Sequence, residues 1–146
     1  MTNSDSQQWK TSYLIPSVPD EAHVITDTVV QVLNDFGWAH KEVFAIHLAL
    51  EEALINAVCH GNDSKPELKV DVQLEITPDR FYVRITDEGP GFDPNKLPDP
   101  TQDEFIDRPC GRGVMLIRKF MDTVQYNERG NQVTLVKNRQ LTNCDS

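Results

Sequence analysis

The sequence lacks any run of eighteen apolar residues, and its opening stretch from Met1 to Lys10 has no apolar core of the kind a secretory signal needs. Neither a membrane span nor a leader is therefore expected, and the expected location is the cytoplasm. Positive charge is also scarce. Fourteen Lys and Arg stand against 23 Asp and Glu, for a formal net charge of -9, which argues against direct contact with nucleic acid or an acidic membrane, because both select clustered basic residues. Cysteine is rare too: Cys59, Cys110 and Cys144 are odd in number and far apart, and no CxxC pair exists. They read as free thiols in a reducing compartment rather than as zinc ligands or a disulfide framework. HExxH, the phosphate loop GxxxxGK[ST] and the Rossmann glycine fingerprint are all missing.

What is present is the composition of one ordinary globular domain: 146 residues, 38% hydrophobic and 25% charged, enough to enclose a core. No internal repeat divides it. Residues 9–138 are expected to form the domain, between polar tails at 1–8 and 139–146. Bulky and polar residues alternate at the start of Trp9–Pro16, as in a half-buried strand. Asp20 is placed to cap a helix whose apolar Val24, Ile25, Val29, Val30 and Leu33 recur at helical spacing and which ends near Gly37. A second helix is expected from His40 to Val58, stopped by Gly61-Asn62. Two alternating runs, Leu68–Ile76 and Phe81–Ile85, joined by Thr77-Pro78-Asp79-Arg80, read as a hairpin. From Gly89 to Cys110 the chain is proline-rich and without period, longer than a routine connector. A helix at Gly113–Met121 and strands at Thr123–Asn127 and Gln132–Lys137 follow.

Three groups of residues could carry chemistry. Glu52, Asn56 and His60 stand at i, i+4 and i+8, so on a regular helix successive members are displaced by only about 40° and share a stripe. The Asn56 amide oxygen suits Mg²⁺ and Glu52 could accept a proton from an attacking hydroxyl; taken alone, the stripe reads better as a solvated helix face. Asp87-Glu88-Gly89-Pro90-Gly91-Phe92 follows a strand, and its Asp87 carboxylate could accept a hydrogen bond from the exocyclic amine of adenine. Alone it is equally a tight turn. Gly111-Arg112-Gly113, preceded by Arg108-Pro109, opens a helix and could receive phosphate at the helix N-terminus. An ordinary helix start would look the same.

Order and spacing distinguish the set: Glu-x-x-x-Asn-Ala on a helix, Asp-x-Gly-x-Gly after a strand, a long loop, then Gly-x-Gly opening a helix. It resembles the ATP-binding domain of type II topoisomerases, ninety-kilodalton heat-shock chaperones, MutL proteins and histidine kinases. More narrowly, Glu51 to Gly61 and the GRGxxLIRxFMD string from Gly111 to Asp122 look like the bacterial anti-sigma factor serine/threonine kinases. The resemblance implies an α/β two-layer sandwich, a mixed, largely antiparallel sheet with helices on one face, and ATP held under a mobile lid, here residues 89–110. It implies that Asn56 coordinates Mg²⁺, Glu52 is the base, Asp87 reads adenine, Gly89 and Gly91 line the base pocket, and Gly111 and Gly113 meet the phosphates. His60, Gly61, Arg108 and Arg112 are further candidates near the phosphates. Such proteins phosphorylate an anti-anti-sigma protein, otherwise sequester a sigma factor, and are usually homodimers. In such proteins a Gly-Thr at the start of the last strand often supports the adenine site, where this chain departs with Gly130-Asn131-Gln132.

The reading is thus an ATP- and Mg²⁺-dependent protein kinase of a partner-switching pathway. The alternatives are a non-catalytic module in which ATP tunes affinity for a protein partner, and a histidine-kinase catalytic domain. The last has no room here for the helical hairpin that presents a phospho-accepting histidine.

Overall fold

The computed structural model describes residues 8–89 and 113–139. Strand β1 (Trp9–Pro16) is followed by helices α1 (Pro19–Asp35) and α2 (His40–Ile55), and α2 continues into a single π-helical turn over Asn56–Gly61. The hairpin of β2 (Lys69–Ile76) and β3 (Arg80–Asp87) comes next, then α3 (Gly113–Phe120), β4 (Thr123–Tyr126) and β5 (Gln132–Asn138). The five strands form one sheet in the order β1-β2-β3-β5-β4.

Every pairing among these strands is antiparallel. The mixed, largely antiparallel sheet expected above is therefore antiparallel throughout its described strands. Alternation sets which face is buried. Val70, Val72, Leu74 and Ile76 of β2 stand opposite Asp87, Ile85, Val83 and Phe81 of β3, and Ile85 and Val83 stand opposite Val133 and Leu135 of β5. Because side chains alternate with period two, this register puts one apolar set on a single face. That face joins Ile25, Val29 and Leu33 of α1, Ile46, Leu50 and Leu54 of α2, and Ile117 of α3 in one core. Phe81 is fully buried there, so truncating it to alanine should cost about 3–5 kcal/mol. The opposite face carries Lys69, Asp71, Gln73 and Glu75 of β2 with Arg80, Tyr82, Arg84 and Thr86 of β3, and none of these is buried.

Helix α2 lies between its neighbours, packing on both α1 and α3. The stretch His40–Gly61 is 22 residues long and contains an 18-residue window of mean hydropathy 1.4, long and apolar enough by length and composition to cross a membrane. In this fold its apolar side instead supplies the core.

Local signals fix the element ends, with two corrections. Helix α1 begins at Pro19, with Val18 extended before it and no side-chain cap. Asp20 is thus a first-turn residue that favours the helix dipole, and Pro19 sets the start because its φ is preorganised and its missing N–H costs nothing there. Gly37 does end the helix, at φ +82, a left-handed conformation that suits glycine. Helix α2 loses regular geometry at Ile55 rather than Val58, and the π turn carries the chain on to Gly61. Arg139 then ties the end of β5 to this layer, donating to the carbonyls of Gly37 at 2.6 Å and Pro78 at 3.0 Å.

Candidate functional site

The last turn of α2 and its π continuation lie over the ends of β3 and β5. Between them is a pocket lined by Asn56 and Gly61 from the helical side, Ile85 and Asp87 from β3, and Tyr126, Asn131 and Val133 from the β4–β5 hairpin. The helix turns polar where it reaches this pocket. Asn56 opens the π turn, and single π turns inside helices often mark functional sites because the extra residue re-aims side chains.

Glu52 lies one turn before Asn56 and is not part of the pocket lining. Glu52 Oε1 and Asn56 Oδ1 are both buried without a hydrogen-bond partner among the described residues. An orphaned buried acceptor costs about 1–3 kcal/mol, and two hard oxygens in this state suit an oxygen-seeking cation such as Mg²⁺. Burial, and secondarily the negative charge of adjacent Glu51, hold the Glu52 carboxyl above the usual carboxylate range. His60 is exposed and is not among the pocket-lining residues. The change from α to π winding after Asn56 ends the regular stripe on which Glu52, Asn56 and His60 would have been aligned.

Asp87 is the final residue of β3 rather than part of the following loop, and it is 8% exposed. Its Oδ1 accepts the Gly89 N–H at 2.9 Å. Burial raises its pKa, against the smaller opposing effects of that hydrogen bond and of the Arg129 cation. The glycines let the chains meet: a Cβ on Gly61 would stand 2.2 Å from Asp87 Oδ2. A carboxylate at the end of a partly apolar slot can select a ligand that presents an N–H donor.

Two asparagines outside the expected set hold this corner. Asn62 is fully buried and uses both amide hydrogens and its oxygen: Nδ2 donates to Ser17 Oγ at 2.8 Å and to the Lys69 carbonyl at 2.9 Å, and Oδ1 accepts the Glu88 N–H at 2.8 Å. Asn131 bonds Asp87 from the other side, and Arg129 Nη2 donates to the Gly89 carbonyl at 3.0 Å. From the sequence, Asn62 is expected only as part of a helix stop. The signal was its place between an Asn-bearing helix and a strand, since a buried turn there needs side-chain partners for its backbone.

Among the remaining expected site residues, Gly113 is the first residue of α3. Gly91, Arg108, Gly111 and Arg112 lie outside the described residues, as does the expected lid beyond Gly89.

Comparison with known proteins is consistent with this arrangement. A family model described as the histidine kinase-like ATPase domain matches residues 15–137. The chain is 27% identical over 135 residues to the serine-protein kinase RsbW of Oceanobacillus iheyensis, covering 88% of this chain and 83% of that protein. It is 29% identical over 131 residues to a Staphylococcus aureus protein of the same name, covering 84% and 82%, and 27% identical over 132 residues to that of Bacillus subtilis, covering 84% and 81%. Among solved structures, the RsbU and RsbW domains of a Mycobacterium tuberculosis protein superpose with a TM-score of 0.57 at 15% identity, covering 91% of this chain and 32% of that longer one. The likeness to that structure concerns the fold. With the family match spanning nearly the whole domain, the chain belongs to the histidine kinase-like ATPase domain family.

Proposed function

We propose that this protein is an ATP-dependent serine/threonine kinase that acts as an anti-sigma factor and transfers phosphate to an anti-anti-sigma protein. The observation that carries the proposal is the pair of orphaned buried oxygens, Glu52 Oε1 and Asn56 Oδ1, beside a pocket ending in Asp87. In this reading Asp87 accepts a hydrogen bond from the adenine amine, with Gly89, Gly91 and Gly61 allowing close approach. Asn56 Oδ1 is the protein ligand for Mg²⁺, which when bound offsets the charge of the phosphates. Glu52 takes the proton of the substrate hydroxyl. As that oxygen bonds to the γ-phosphorus, the bond from phosphorus to the bridging oxygen of ADP breaks and ADP leaves. A carboxylate held above its ordinary pKa accepts a proton more readily at neutral pH.

Gly111 and Gly113, with Arg108, Arg112 and His60, are assigned to the phosphate end. The relatives' name, serine-protein kinase, supports the reaction type. A homodimer in the cytoplasm, switching between an anti-anti-sigma protein and a sigma factor, completes the proposal. The net charge of -9 fits protein partners rather than nucleic acid or an acidic membrane.

The test is transfer of labelled γ-phosphate from Mg²⁺·ATP to candidate anti-anti-sigma domains by the parent protein, Glu52→Gln and Asn56→Ala. Transfer by the parent, lost in Glu52→Gln while nucleotide still binds, supports a kinase. Nucleotide binding with no transfer to any cognate partner identifies a non-catalytic switch instead.

A further inference from the structure

We propose that Asn131 is a positioning residue for nucleotide selection, its side chain adding a rung to the sheet that fixes where Asp87 meets the base. The proposal rests on reading the pocket as an adenine site and assigns the accuracy of that site to Asn131, which stands where the resemblance expects a threonine.

The regular register of β3 with β5 ends at Thr86 opposite Gln132. Strand ends fray, yet Asp87 lies one residue beyond this pair and must hold its carboxylate to a few tenths of an ångström to select a donor. Asn131 meets it with two bonds. Its backbone carbonyl accepts the Asp87 N–H at 2.9 Å, and its Nδ2 donates to the Asp87 carbonyl at 2.9 Å. Both backbone polar groups of Asp87 are therefore taken by one residue, one through main chain and one through side chain.

The amide of Asn131 is itself oriented. Asn127 Nδ2 donates to Asn131 Oδ1 at 2.8 Å, which leaves Asn131 Nδ2 directed at Asp87. Asn127 in turn is held by the hairpin it organises, because its Oδ1 accepts the N–H groups of Gly130 at 2.7 Å, Asn131 at 3.1 Å and Gln132 at 3.3 Å. A chain of hydrogen bonds thus runs from the β4–β5 hairpin through Asn127 and Asn131 to the backbone of Asp87. Asn131 also lines the pocket wall, so its loss would be felt where the ligand sits.

The experiment titrates the full chain with ADP and with inosine diphosphate, in which a carbonyl replaces the exocyclic amine that Asp87 would read. The parent, Asn131→Ala, Asn131→Asp and Asn127→Asp are compared, with amide hydrogen exchange followed in the nucleotide-free protein. Asn131→Asp matters because it keeps the side-chain shape while turning an acceptor towards the Asp87 carbonyl. Asn127→Asp keeps the three backbone contacts but removes the donor that orients Asn131. Asn131→Ala and Asn131→Asp should lower ADP affinity roughly five- to tenfold, the worth of one net hydrogen bond. Affinity for inosine diphosphate should change less than about twofold by the same reasoning, so selectivity falls. Asn127→Asp should act in the same direction and more weakly. Exchange at the Asp87 amide should accelerate while core amides such as Val83 stay protected.

Equal loss for both nucleotides, or unchanged selectivity in Asn131→Asp, overturns the proposal. If the parent itself binds ADP and inosine diphosphate alike, the adenine reading fails, and exchange at Asp87 still decides: acceleration in Asn131→Asp supports the positioning role, and no change refutes it.

Discussion

Gly61 and Gly89 interlock: a Cβ on Gly89 would lie 1.6 Å from the Gly61 carbonyl oxygen, while a Cβ on Gly61 would lie 2.2 Å from Asp87 Oδ2. The end of the helical layer and the turn after β3 are thus fitted to each other at the wall of the pocket. Neither contact leaves space for a methyl group.

The two glycines should respond differently. In Gly89→Ala the new methyl meets backbone, so the turn itself must shift, and a loss of about 1–3 kcal/mol of stability is expected together with loss of nucleotide binding. In Gly61→Ala it meets the Asp87 carboxylate, so binding should fall at least tenfold with a smaller loss of stability. Urea unfolding combined with ADP titration separates the two effects, and parental stability in Gly89→Ala would refute the close approach.

Glu52 should show a conflict between stability and activity. Its pKa is raised in the folded state by burial and then by Glu51, so the folded protein binds the proton more tightly than the unfolded chain. Stability then falls as pH rises from the ordinary glutamate value, about 4.3, through the raised one. Glu52→Gln should be more stable than the parent at pH 7, with the advantage shrinking as pH falls from the raised value towards about 4.3. The same substitution should lower phosphoryl transfer by roughly 10²–10⁴, the usual contribution of a general base. In the parent, kcat should rise with pH through a limb above the ordinary glutamate value. Thermal unfolding across pH and a pH–rate profile check both parts; a limb that persists in Glu52→Gln assigns the base elsewhere.

Asn62 should be chiefly structural. Its amide is fully buried and satisfies Ser17, Lys69 and Glu88 at once, so Asn62→Ala leaves several buried polar groups unpaired. A loss of about 2–3 kcal/mol is expected. Asn62→Asp keeps an acceptor for the Glu88 N–H but loses both donors and buries a charge, so it should be no better tolerated. A shift of the urea midpoint worth less than about 0.5 kcal/mol in Asn62→Ala would contradict the hub role.

The elements that were legible in the sequence are those with a period. The alternation of Val70, Val72, Leu74 and Ile76 gave β2 its buried face, and Gly37 marked the end of α1. Where the period changes, the pattern misleads: Asn56 to Gly61 continue the apolar helix in composition, yet they wind as a π turn, and no spacing rule announces that. The bonding roles of Asn62, Asn131 and Arg129 were hidden for another reason, although Asn131 marks a departure from the resembling pattern. Each is a polar loop residue whose role lies in partners 7 to 45 positions away, and tertiary hydrogen bonds of this kind leave no local signature. Glu52, Asn56 and Asp87 were legible as candidates only together, because Glu-x-x-x-Asn-Ala, Asp-x-Gly-x-Gly and Gly-x-Gly follow in an order that resembles a known nucleotide-binding domain. The asparagines that support them sit in turns, where asparagine is common.

The central claim, that an adenine nucleotide binds against Asp87, is tested most directly by calorimetric titration of ADP into the parent protein and into Asp87→Asn. The substitution is nearly isosteric. Its amide oxygen can go on accepting the Gly89 N–H as Asp87 Oδ1 does, which places the Nδ2 donor where Oδ2 now stands, facing the donor amine of the base. Saturable binding by the parent and affinity at least tenfold weaker in Asp87→Asn, with the fold intact, is the predicted result. Equal affinity in the two proteins would contradict it.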